Sequence, residues 1–187
     1  MDITVRPAQL ADAPFVAPLI VDAIDEIANR LTGEDEPKAI LQSLEELFKR
    51  TDNRHSYLNT YIAEISGEVA GIMVVYGGDQ APTLDHNLEQ WLAAKGACVQ
   101  KIEVEARPDE FYIDTICTTP QYRGHGVGTT LLKYADNVAK KKGYQRVSLS
   151  VEKQKDRARH LYEKMNFIYS EPWMIIGEEF DHMVKKI

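Results

Sequence analysis

The sequence predicts an α/β domain, and three observations carry that prediction. Residues 111–118 form a β-branched run, followed by Pro120 and by glycines at 124, 126 and 128. The segment after those glycines repeats apolar residues at helical spacing, with Leu131, Leu132, Ala135, Val138 and Ala139 on one face. Strand-like and helix-like patterns then alternate on either side of this unit, as in a layered α/β domain.

The elements follow in order. Residues 3–6 read as a short strand stopped by Pro7. Val16, Leu19, Ile20, Ala23, Ile24 and Ile27 make one helical stripe with Asp12 as its cap. A second helix from about Pro37 turns Ile40, Leu41, Leu44, Leu47 and Phe48 inward. Residues 57–65 and 68–76 form a hairpin around Ser66 and Gly67. The long connection 77–108 carries an amphipathic segment with Leu84, Leu88, Trp91 and Leu92, and serves as a substrate contact, a dimer contact or a decorative helix. After the glycine-started helix, Lys140, Lys141 and Lys142 precede Gly143, which suits a helix end. A strand at 146–151, a helix with Ala158, Leu161, Tyr162 and Met165 inward, and a strand at 167–170 complete the series.

Composition sets the outer limits. A chain of 187 residues, 44% hydrophobic, buries one good core, so residues 1–187 read as a single domain. No stretch approaches the ~20 apolar residues of a membrane span. The N-terminus lacks the basic and apolar regions of a secretory signal, and Cys98 and Cys117 are too few for a disulfide framework. A reducing cytoplasm is the expectation. No Cys/His cluster has zinc spacing, so no metal is expected. The net charge of −7 argues against a nucleic-acid partner and leans toward a cationic one, with a homodimer left open.

The glycine run is the chemical signal. Glycines at every second position let backbone N–H groups turn inward, and a helix N-terminus adds the positive end of its dipole. Together these suit a phosphate or pyrophosphate. The spacing Gly124-x-Gly126-x-Gly128 is too tight for a Rossmann loop, and no Gly-Lys pair makes a Walker loop.

Pro120-Gln-Tyr-Arg-Gly-His-Gly-Val-Gly resembles the acetyl-CoA motif of the GNAT N-acetyltransferase superfamily, Arg/Gln-x-x-Gly-x-Gly/Ala. Ala158-x-x-Leu-Tyr-Glu-Lys-Met-Asn-Phe resembles that family's second signature. The resemblance is firm in the C-terminal half and weaker toward both ends. It implies a mixed, mostly antiparallel twisted sheet of about six to seven strands flanked by helices, with the long connection adding a helix before the cofactor strand. It also implies transfer of an acetyl group from acetyl-CoA to a primary amine by direct attack, with a small-molecule amine favoured. A protein N-terminus or lysine as acceptor, and a non-catalytic acyl-CoA sensor, stay open.

Carried onto this chain, the resemblance assigns the coenzyme pyrophosphate to Arg123, Gly124, His125, Gly126, Val127 and Gly128, with Thr129 at the helix start. The pantetheine arm falls along Ile116, Cys117 and Thr118, and backbone donors near Thr118 polarise the thioester carbonyl. Tyr162 becomes the acid that protonates the departing thiolate, a sensible match for a phenol of pKa ~10; its other reading is a core aromatic. Two positions depart from the pattern. Lys155 stands where the family often has Asn; it can reach a phosphate but accepts no hydrogen bond. Asn166 replaces a glycine and tolerates left-handed geometry.

Amine attack also needs a base, and the candidates are Asp114 and Glu110. Period-2 alternation puts both on one strand face with Tyr112 and Ile116, roughly 13 Å apart. Asp114 is preferred because it lies nearer the thiol; Glu110 would act through water. The acidic joint at residues 33–36 is a candidate acceptor contact.

Overall fold

The computed structural model describes residues 2–99 and 101–187. Its seven strands are β1 (Ile3–Pro7), β2 (Thr60–Ile65), β3 (Glu68–Gly77), β4 (Phe111–Thr118), β5 (Arg146–Glu152), β6 (Ile168–Ile175) and β7 (Glu178–Lys186). They form one sheet in the order β1-β2-β3-β4-β5-β7-β6. Every neighbouring pair is antiparallel except β4 and β5. That exception follows from connectivity. Tight turns join β2 to β3 and β6 to β7, whereas helix α5 (Val127–Lys141) carries the chain from β4 to β5, and parallel neighbours need such a crossover. The other helices are α1 (Ala13–Ile24), α2 (Ile27–Thr32), α3 (Pro37–Lys49), α4 (Ala81–Ala94) and α6 (Asp156–Lys164). Among the described residues no helix is long and apolar enough to cross a membrane.

Alternating strand residues fill two cores. Met73, Phe111 and Ile113 pack with Leu131, Leu132 and Ala135 of α5, while Ile62, Ile72 and Cys117 pack with Ile20 of α1 and Leu44 of α3. The sheet is thus covered on both faces, in the layered architecture that the alternating patterns predict.

Two features of β4 shape the site. It pairs with β5 only over Phe111, Ile113 and the residue between them, against Val147 to Leu149. Beyond that point the two strands run on without pairing and leave an opening in the sheet. The β3–β4 register also steps from Val75↔Ile113 to Val74↔Thr115, so Asp114 is an extra residue, a β-bulge. A bulge breaks the period of two. Ile113 and Ile116 both face the α5 core, whereas Tyr112 and Cys117 pack on the opposite face. The predicted common face for Tyr112 and Ile116 therefore does not hold.

Other boundaries also moved. The α1 stripe breaks at Asp25, whose backbone is left-handed (φ 45°), so Ile27 opens the separate α2. Asp12 makes no side-chain cap bond to α1; it accepts from the Gln9 N–H at 2.7 Å, and Arg6 grips both its oxygens, at 2.8 and 2.9 Å. Residues 57–59 form a 3-10 turn, and β2 begins only at Thr60. β6 runs on past Ser170 to Ile175, and the amphipathic part of the long connection is α4.

Candidate active site

The opening between β4 and β5 forms part of a cleft of about 1000 Å³. At one end sits the glycine loop. Gly124 and Gly126 adopt left-handed backbones (φ 80° and 88°), a region that side chains with a Cβ rarely enter. Gly126 is the residue from which α5 starts. Thr130 is the first α5 residue whose N–H reaches back, to Gly126 O at 3.0 Å. The N–H groups of Val127, Gly128 and Thr129 have no acceptor within the helix and lie at the positive end of its dipole. All three residues line the cleft, with Arg123, Gly124 and Gly126. Lys155, at the start of α6, reaches the same space while pairing with Glu152 at 2.7 Å. This is an anion cradle built of backbone donors, so the residues fit a pyrophosphate.

Next along the cleft come Ile116, Cys117 and Thr118 of β4, with Tyr162 of α6 facing them. Burial pushes the Tyr162 phenol up to about 12 and the Cys117 thiol up to about 11. Both therefore stay protonated through the ordinary pH range. The Tyr162 phenol keeps its proton, and Cys117 is not a thiolate.

The deep end is a buried charge cluster around Arg54, which is 2% exposed. Its guanidinium donates to Asp85 Oδ1 (2.8 and 2.9 Å), to Glu105 Oε1 (2.6 Å) and to Asp114 Oδ1 (3.1 Å). Tyr76 donates to Asp114 Oδ1 at 2.8 Å, Thr115 to Asp114 Oδ2 at 2.9 Å, and Tyr112 to Glu105 Oε2 at 2.8 Å. Burial pushes the Asp114 carboxyl up, but the charge of Arg54, the neighbouring His55 and these hydrogen bonds outweigh it and hold Asp114 below its usual range. Asp85 goes the other way. Its burial outweighs Arg54, its Oδ2 is buried without a partner, and it is lifted to about 6. Three carboxylates thus surround one guanidinium, and the site carries excess negative charge facing the cleft through Glu105 and Asp114.

Residues 21–167, most of the chain, match the family model for the acetyltransferase (GNAT) family. The chain belongs to the GNAT acetyltransferase family. Among solved structures the fold is similar to one described as an acetyltransferase, at 29% identity and TM-score 0.82 over 98% of each chain. It is also similar to an N-acetyltransferase from Staphylococcus aureus Mu50, at 22% identity and TM-score 0.81, covering 97% of this chain and 100% of the other. A third similar fold is PaiA N-acetyltransferase from Thermoplasma acidophilum in complex with coenzyme A, at 18% identity and TM-score 0.60 over 100% of both chains. No protein of curated function matches the sequence.

Within this GNAT fold, most of the residues singled out in the sequence share one cleft; Glu110, His125 and the acidic joint do not. Glu110 is absent from the lining; it is fully buried just before β4, bonded to His182 of β7 at 2.9 Å. The His125 side chain also turns away, packing edge-on to the Tyr122 ring. The acidic joint at 33–36 lies outside the cleft as well. Glu34 is tied to Lys95 beyond the end of α4 at 2.5 Å, and the wall is made instead by Asp22, Ile24 and Ile27 near the α1–α2 junction.

Sequence reasoning missed Arg54, Asp85 and Glu105. Nothing in the polar run at residues 51–56 distinguishes a buried arginine from a solvated one. The signal emerges only when the chain brings Arg54 against β4 residues 60 positions away.

Proposed function

We propose that this GNAT protein transfers an acetyl group from acetyl-CoA to a primary amine by direct attack, with a small-molecule amine as the favoured acceptor. One observation carries the reading: a single cleft joins a backbone anion cradle to a recessed, net-negative floor. The cradle suits the phosphates of the coenzyme, and the floor suits an ammonium. The floor is sunk among side chains at most 13% exposed, so it favours a narrow amine over a broad protein surface.

Acetyl-CoA supplies the activated acetyl thioester. Residues Val127 to Thr129 hold its pyrophosphate through backbone N–H groups, and Lys155 adds a mobile cation. Asp114 and Glu105 orient the ammonium. Asp114 already accepts three hydrogen bonds and is held in its charged form, so it attracts a cation well but retains a proton poorly. Tyr162, protonated across the working pH range, donates to the departing sulfur.

The test is Tyr162→Phe. Coenzyme affinity by calorimetry should stay within about two-fold, and turnover should fall roughly 10²-fold, the lower end of what a positioned acid contributes. Equal turnover in the two proteins would remove Tyr162 from the mechanism.

A further inference from the structure

Converting an ammonium and a thioester to an amide and a thiol releases one proton, which the acceptor nitrogen must shed inside the cleft. Asp114 is a poor destination because Arg54, Tyr76 and Thr115 already donate to it and hold it as a carboxylate. Another polar path leaves the cleft on the β5 side. Ser150 lines the cleft beyond the point where β4 and β5 stop pairing. The β5–β7 register sets His182 directly opposite Ser150, and the two side chains meet, with Nδ1 at 3.3 Å from Oγ. The other ring nitrogen, Nε2, lies 2.9 Å from Glu110 Oε2. His182 and Glu110 are both 0% exposed, and Trp173 of β6 stacks on the imidazole at 4.7 Å, fixing the plane of the ring.

Glu110 is arranged to remain a carboxylate. Burial pushes its carboxyl up, but the hydrogen bonds from His182 and from the Arg107 N–H outweigh it and hold the group below its usual range. An imidazole between a fixed carboxylate and a hydroxyl has the geometry by which such a ring takes a proton from the hydroxyl side and is stabilised from the other.

We propose that Ser150, His182 and Glu110 form the proton-accepting device of the acetyl transfer, with His182 taking the proton of the acceptor amine through Ser150. The inference rests on the acetyl-transfer reading above. In the resting state His182 donates from Nε2 to Glu110, and Nδ1 accepts from the Ser150 hydroxyl. Before attack, the bound ammonium loses one proton: its N–H bond breaks and the proton passes to Ser150 Oγ, while the hydroxyl proton of Ser150 passes to Nδ1. The result is an imidazolium facing the Glu110 carboxylate. The freed lone pair then attacks the thioester carbonyl, the C–N bond forms and the C–S bond breaks, and the second N–H proton replaces the one that Tyr162 gives to the departing sulfur. When product leaves, the proton returns through Ser150 to solvent in the open cleft. Only Ser150 touches the substrate; His182 and Glu110 act through it.

The experiment combines kinetics with histidine-selective ¹⁵N NMR. Wild type, Ser150→Ala, Ser150→Thr, His182→Gln and the Ser150→Ala/His182→Gln double variant are assayed by thiol release from acetyl-CoA. The amines used are benzylamine, 1,4-diaminobutane and a tetrapeptide with a free N-terminus. Ser150→Ala should lower kcat at least about ten-fold, leaving amine KM and coenzyme affinity within about two-fold. Ser150→Thr, which keeps the hydroxyl, should recover most of the rate. His182→Gln should add little in the Ser150→Ala background, since the two act as a unit. Unchanged kcat in Ser150→Ala, or multiplying losses in the double variant, would overturn the proposal while leaving the acetyl-transfer reading intact. The NMR spectrum should show His182 as the Nε2–H tautomer, its Nδ1 resonance shifted by Ser150→Ala. The opposite tautomer would also overturn it. If wild type acetylates none of the amines, the functional reading fails, and the catalytic role of this device fails with it.

Discussion

The two ends of the cleft hold charge by different means. At the cradle, positive potential comes from peptide N–H groups of consecutive residues, and side chains hardly enter into it; the His125 ring turns away. At the floor, negative potential comes from side chains brought together from α4, the long connection and β4 around one buried guanidinium. A backbone site depends on conformation, so it fails when φ is disturbed. A side-chain site depends on charge balance, so it fails when its one cation is removed.

The largest expected effect follows from that difference. Arg54→Met removes the only cation within hydrogen-bonding reach of three carboxylates, two buried and one half-buried, among the described contacts, and should destabilise the fold by about 3–5 kcal/mol. Urea unfolding measures it, and a loss under about 1 kcal/mol would mean the floor is not held by charge balance. Next in size is Gly126→Val at the cradle. A β-branched residue at φ 88° costs roughly 1–2 kcal/mol and displaces the first α5 N–H groups. Coenzyme affinity should fall at least about ten-fold, whereas a value within two-fold of wild type would show that the donors are not needed.

A smaller effect separates the carboxylates by pH. Asp85 is lifted by burial from 3.8 to about 6. Its contribution is therefore full below pH 3.8 and is lost as pH rises through about 6. Asp114 is held below 3.8, so its contribution is present above that pH and lost as the pH falls below it. Asp85→Asn should then gain stability relative to wild type between pH 4 and 7, and Asp114→Asn should lose relative to wild type as pH is raised from 3 to 5. Parallel pH–stability curves for the two variants would contradict the opposed shifts. The smallest expected effect is His125→Ala, which should leave coenzyme affinity within about two-fold, because only the backbone of that residue belongs to the cradle turn.

The same contrast governs what can be read before the chain is folded. The cradle is contiguous, so Gly124, Gly126 and the helix after them are legible as a local pattern, as is Tyr162 on its own amphipathic helix. The helix stripes and hairpin are legible for the same reason, with errors only where a local event intrudes, such as the left-handed Asp25 between α1 and α2. The floor is not contiguous. The Asp114 bulge exists only relative to the register of β3, and it defeats the alternation rule that placed Tyr112 with Ile116. The pairing of Glu110 with His182 spans 72 positions and depends on β7 lying next to β5. A carboxylate on a strand can be read as reactive, but whether it faces the cleft or a buried histidine is decided by strand order.

The most direct test of the central claim is calorimetric titration with acetyl-CoA, followed by thiol release over a panel of primary amines. Saturable binding, with release that depends on one amine class, is the predicted result. Binding without release on any amine would contradict acetyl transfer to a primary amine, and absence of binding would contradict the reading of the glycine loop as a coenzyme cradle.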